Sequence, residues 1–189
     1  MHGTPAPTLR APFDVDKLPC VRLLAMLPPK GDDWVGLCTE PLPLDQLASW
    51  PVLPGCGAVV LFAGTVRDHS EGRPGVVSLE YEAYEAAALA QMDAIDRELR
   101  SRWPETGRLA IVHRTGLLAP GDVSVVVSVS SPHRRRAFAA ASFGIDAVKA
   151  RAPIWKHETW HGGSAWGIDV CPIEGASTAD LLASGDVSR

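Results

Sequence analysis

Gly57 to Val66 reads GAVVLFAGTV, a stretch with no charged residue that ends abruptly at Arg67. It is far too short to span a bilayer. Its continuous apolar character, bounded by glycine and arginine, predicts a strand buried on both faces. A strand of that kind cannot stand alone, and the chain must supply neighbours for it. The clearest neighbour is Val123 to Ser130, where Val123, Val125, Val127 and Val129 alternate with Ser124, Ser128 and Ser130. Val76 to Tyr84 also alternates, with Val77, Leu79 and Tyr81 on one side and Ser78, Glu80 and Glu82 on the other. Trp34 to Thr39 and Leu109 to His113 complete the early strands.

Helices fall between them. Leu44 to Trp50 suits a short helix after a proline-bounded turn. Leu89, Met92, Ile95, Leu99 and Trp103 recur every three or four residues, which predicts a helix with one apolar stripe. Ser131 and Pro132 resemble an N-cap and a first helical position. Phe138, Ala141, Ile145 and Val148 would form the buried stripe of the helix that follows, which must stop before Pro153. Asp68 to Gly75 reads as a polar loop. Ile154 to Trp166 reads as strand with a turn at Gly162-Gly163. Short connections and adjacent strands predict an α+β domain with a mixed, largely antiparallel sheet. The expected division is a proline-rich arm over 1–33, a domain over 34–171 and a tail over 172–189. A short helix or strand is possible near Val21 to Leu27.

Composition excludes some functions. The net charge of −4 argues against a general nucleic-acid binder. No apolar run is long enough for a membrane span, and no signal-peptide core is visible. Cys20, Cys38, Cys56 and Cys171 form no CxxC pair, so idle thiols in a reducing cytoplasm are expected.

Four places could carry chemistry. His133 and Arg134, followed by Arg135 and Arg136, put positive charge where the helix dipole favours negative charge. Either an anion compensates there or the arginines point into water. Lys149 and Lys156 could act as acids, bases or electrostatic clamps, or could be ordinary surface lysines. Arg67, directly after a buried strand, either lines a site or ends in solvent. His113 reads as a structural histidine. His157-Glu158-Thr159-Trp160-His161 matches the HExxH zinc pattern, but that pattern needs a helix, which Pro153, Gly162 and two tryptophans make doubtful.

Several segments, in order from about Trp34 to Trp166, resemble the large, catalytic subunits of molybdopterin synthase, the MoaE family. They are Gly57-Ala58, Phe62-Ala63-Gly64-Thr65-Val66-Arg67, Leu79 to Tyr84, His113-Arg114-Thr115-Gly116, Pro120-Gly121-Asp122, Ser131-Pro132-His133-Arg134, Ala137-Phe138, Asp146 to Lys149 and Pro153 to Glu158. The resemblance implies an α/β-hammerhead fold and a homodimer within a heterotetramer, each copy binding a small ubiquitin-like sulfur-carrier subunit. It implies sulfur transfer from that subunit's C-terminal thiocarboxylate to cyclic pyranopterin monophosphate, with no metal or other cofactor. Thr65, Val66, Arg67, His133, Arg134, Lys149, Lys156, His157 and Glu158 would bind substrate, with Lys149 and Lys156 catalytic. Ala165 and Val170 stand where bacterial relatives often carry arginine. The rival readings are a non-catalytic pterin- or phosphate-binding scaffold for the same partner, and a zinc hydrolase built on His157 and His161.

Overall fold

The valine-serine strand proves to be the centre of the molecule. In the computed structural model, which describes residues 27–70 and 72–167, β8 (Val123–Ser131) runs between β6 (Leu109–Arg114) and β2 (Ala58–Thr65), antiparallel to both. β1 (Asp33–Cys38) joins β6 in parallel and completes a four-stranded sheet of order β1-β6-β8-β2. A second sheet, of order β10-β9-β5-β7, is antiparallel throughout. It contains β5 (Val76–Ala83), β7 (Gly116–Leu118), β9 (Ile154–Trp160) and β10 (Gly163–Trp166). The α+β class with mixed, largely antiparallel pairing is therefore present, as the hammerhead expectation required, but it is divided over two sheets. No helix of the described residues is long and apolar enough to cross a membrane.

Strand alternation decides how the layers stack. Val125, Val127 and Val129 project from β8 towards α2 (Glu85–Arg102) and α3 (Arg134–Arg151). There they meet Met92, Ile95 and Leu99 of α2 and Ala140, Ala141, Ile145 and Val148 of α3. Val126 projects the other way, into a cluster with Trp34, Leu42, Val112 and Leu47 of α1 (Leu44–Ser49). Each fully buried aliphatic side chain contributes about 1.5–3 kcal/mol. Gly144 lets α3 come close to β8, since a Cβ there would lie 3.0 Å from Val127 Cγ1. A third cluster of Val66, Val76, Leu79 and Leu118 ties the second sheet to the end of β2.

Several expectations need correction. β2 is an edge strand, so its residues are half-buried and Val59 is 36% exposed. A run of apolar residues cannot distinguish a central strand from an edge that waits for a partner. In β5 a register shift between Val76 and Ser78 buries Val76 and leaves Val77 out, which breaks the simple alternation at that end. The loop after Arg67 contains a small hairpin, β3 (His69–Ser70) with β4 (Arg73–Pro74). β7 was not foreseen at all, because three residues are too few to show a period. The α3 helix starts later than Ser131: that residue ends β8, and His133 is the N-cap, with no side-chain capping bond. Phe138 is 63% exposed, and the buried stripe consists mainly of alanines beside it. The element suggested near Val21 to Leu27, save Leu27 itself, and the tail over 172–189 lie outside the described residues.

Candidate active site

A cleft of about 880 Å³ lies where the end of β2, the last turn of α3 and the start of β9 converge between the two sheets. Thr65, Val66 and Arg67 line it from β2, Lys149 from α3, and Lys156 and Glu158 from β9. Each is held by local structure. The Val66 N–H donates to Asp122 O at 2.9 Å, and the Gly121 N–H donates to Val66 O at 2.8 Å. Asp122 is itself fixed, because its Oδ2 accepts from Ala119 N at 3.0 Å and Arg114 Nη1 at 3.2 Å. The Pro120-Gly121-Asp122 turn and Arg114 thus clamp the backbone immediately before Arg67.

Lys149 lies in the last turn of α3, where the helix dipole favours a cation. Lys156 and Glu158 are two residues apart on β9, so the pleat puts them on one face. Lys156 sits opposite Tyr81 of β5, and the Gly167 N–H donates to Lys156 O at 2.7 Å. A Cβ on Gly167 would come within 2.5 Å of Lys156 Cε, so the chain passes closely over that stem and any larger residue would push the lysine aside. Glu158 is 6% exposed and accepts a hydrogen bond from Ser70 Oγ at 3.0 Å. The site therefore holds three cations against two carboxylates, the buried Glu158 and the exposed Asp146, an arrangement suited to binding anions and handling a proton.

Three expected residues lie elsewhere. His133 and Arg134 line a separate hollow of about 450 Å³ with Gly57, Pro132, Arg135 and Arg136, at the opposite end of α3 from Lys149. An 18-residue helix is about 27 Å long, so within one chain α3 cannot hold both ends of one small-molecule site. His157 is on the opposite face of β9, with its ring centre 4.9 Å from that of Trp166. The HExxH match falls on β9 and the turn after it rather than on a helix, so extended backbone sets its two histidines roughly 13 Å apart along the chain instead of one helical turn apart.

His113 of β6, read as a structural histidine, is 6% exposed and also forms part of the cleft wall. Its Nδ1 donates to Arg114 O at 2.8 Å, and its ring meets that of Tyr81 edge-on at 4.9 Å. Burial pushes its pKa down to about 4. The strand-end position beside Arg114 was the available signal.

Fold and cleft together define an α+β enzyme domain with a cationic site between two sheets. The model of the family described as MoaE protein matches residues 37–151, more than half of the chain. The molybdopterin synthase catalytic subunit of Nostoc sp. is 42% identical over 151 residues, covering 80% of this chain and 91% of the relative. The human molybdopterin synthase catalytic subunit is 39% identical over 72% of this chain and 72% of its own length. The crystal structure of molybdopterin synthase from Staphylococcus aureus superposes with a TM-score of 0.66 at 39% identity, covering 69% of this chain and 94% of that one. The chain belongs to the MoaE protein family and is an enzyme of molybdopterin synthesis. The family match includes Lys149 and stops short of Lys156 and Glu158.

Proposed function

We propose that this chain transfers sulfur from the thiocarboxylated C-terminus of a small ubiquitin-like subunit to cyclic pyranopterin monophosphate, forming the dithiolene of molybdopterin. The observation that carries this reading is the convergence of Arg67, Lys149 and Lys156 around one cleft with the buried Glu158. Both reactants are anions. Arg67 suits the phosphate, since a guanidinium can hold two of its oxygens at once. Lys149, exposed at the rim, meets the incoming thiocarboxylate. Lys156, deeper and half-buried, gives a proton or stabilises developing negative charge.

His133 and Arg134 enter the site from a second copy. The free edge of β2 is uncharged along its whole length, the kind of edge that proteins cover. Antiparallel pairing of two β2 strands would set the start of one beside the end of the other. The start of β2 adjoins the His133–Arg134 hollow, and its end carries Thr65 and Arg67 to the cleft. A symmetric homodimer would then join the two cationic regions that α3 keeps apart in one chain. With a small subunit at each cleft the assembly is a heterotetramer. The catalytic unit is the domain expected over 34–171, extended by Asp33, where β1 begins. The free thiols of Cys38 and Cys56 suit a cytoplasmic enzyme.

The test is incubation of the purified protein with a thiocarboxylated small subunit and the pyranopterin, scoring dithiolene formation. Product is expected. Tight binding of the pterin without any product would instead identify a scaffold.

A further inference from the structure

The cations of the cleft can hold a phosphate, but they are all donors and cannot recognise a heterocycle that presents N–H groups. Several acceptors line the wall. Asp146 is exposed, the buried Ser124 hydroxyl donates to Gly64 O at 3.2 Å, and Glu158 already takes the hydroxyl of Ser70. His113 is another, and its hydrogen bonding fixes what it offers. A carbonyl oxygen only accepts, so the bond to Arg114 O places the proton on Nδ1. In the neutral ring Nε2 then carries a lone pair, and no described residue donates to it. The edge-on contact with Tyr81 and the backbone bond together lock the ring's orientation. His113 lines the cleft and is not among the buried polar side chains left without a partner, which fits an Nε2 that opens on the cleft rather than one sealed in the core.

We propose that His113 is a specificity-determining residue of the cleft, whose Nε2 accepts a hydrogen bond from a ring N–H or amino group of the bound pterin. The proposal rests on the pyranopterin reading above and adds the residue that distinguishes the pterin from a bare anion. The low pKa of the ring keeps the lone pair available throughout the neutral range. Recognition is thereby divided: cations take the phosphate, and a neutral acceptor fixed between the two sheets takes the heterocycle.

The experiment measures equilibrium binding of cyclic pyranopterin monophosphate and, separately, of inorganic phosphate, to wild type, His113→Phe and His113→Gln. Phenylalanine keeps a ring against Tyr81 but has no acceptor, whereas glutamine offers a carbonyl oxygen. His113→Phe should weaken pyranopterin binding on the order of tenfold and leave phosphate binding unchanged. His113→Gln should recover most of the loss, and the thermal midpoint of either variant should not explain the difference. His113→Met replaces the phenylalanine variant if the latter does not fold. Unchanged pyranopterin binding in the apolar variant overturns the proposal while leaving the sulfur-transfer reading intact. A parallel loss of phosphate binding also overturns it, because His113 would then be supporting the wall as a whole. Failure of the wild-type protein to bind the pyranopterin overturns both.

Discussion

Lys149 and Lys156 differ more in their surroundings than in their chemistry. Lys149 is exposed on α3, so its removal leaves no cavity and no unpaired buried group. Lys149→Ala should unfold at the wild-type temperature within error, yet lose sulfur transfer on the order of a hundredfold or more, since a misplaced thiocarboxylate reacts slowly. Lys149→Arg should not restore it, because the guanidinium is planar and does not give up its proton. Product formation beside a thermal melt checks both statements. Retained activity in Lys149→Ala would make it a surface residue.

Two buried ionisable groups set opposite pH dependences. Burial lifts Asp96 from 3.8 to about 6 despite its ion pair with Arg100 at 3.3 Å. The folded state therefore takes up a proton there, and stability falls as pH rises from about 4 to 6. Burial lowers His113 from 6.5 to about 4, so the unfolded state binds the extra proton and stability rises with pH over about 4 to 6.5. The two slopes offset each other, each at most about 1.4 kcal/mol per pH unit. Asp96→Asn should expose a rising stability between pH 4 and 6.5 and be no less stable than wild type at pH 7.5. His113→Phe should show the reverse slope. Denaturant melts across that range would read it, and parallel curves for all three proteins would contradict it.

At the scale of elements, β2 is the most informative. Its apolar run was legible as a strand, and its burial was not, because a pattern of side chains does not say which backbone edge is paired. If a second copy covers that edge, Val59→Lys should shift the protein from dimer towards monomer. Val59 is already 36% exposed in the single chain, so the fold should survive with a change of roughly 0.5 kcal/mol or less. Sedimentation with and without the substitution would show it, and an unaltered dimer would place the interface elsewhere. The α2 stripe was readable because Met92, Ile95 and Leu99 are large and evenly spaced. The stripe of α3 was misread at Phe138, because its buried face is made of alanine and glycine, which carry little hydrophobic signal.

At the scale of the whole molecule, the site combines segments far apart in sequence. The ordered motifs identified most of the lining residues, including Arg67, Lys149, Lys156 and Glu158. They did not reveal that α3 separates Lys149 from Arg134 by the length of a helix, since a motif list has no distances in it. They contained His113 but did not show that its ring meets Tyr81 of the other sheet in the wall of the cleft. The alternating pleat of β9, which turns His157 away from Lys156 and Glu158, already follows from the strand that the sequence predicts over this stretch.

The most direct test of the account mixes two inactive variants and measures dithiolene formation from the thiocarboxylated small subunit and the pyranopterin. Arg134→Ala and Lys149→Ala should each be inactive alone, while the wild type forms product. After subunits exchange, half of the dimers carry one variant of each kind. If the helix start of one copy completes the cleft of the other, each such dimer has one intact site, and activity should return to roughly a quarter of wild type. No recovery, with exchange verified, would mean that both residues act within one chain, and full activity of Arg134→Ala alone would place Arg134 outside the site. No product from the wild type would contradict sulfur transfer itself.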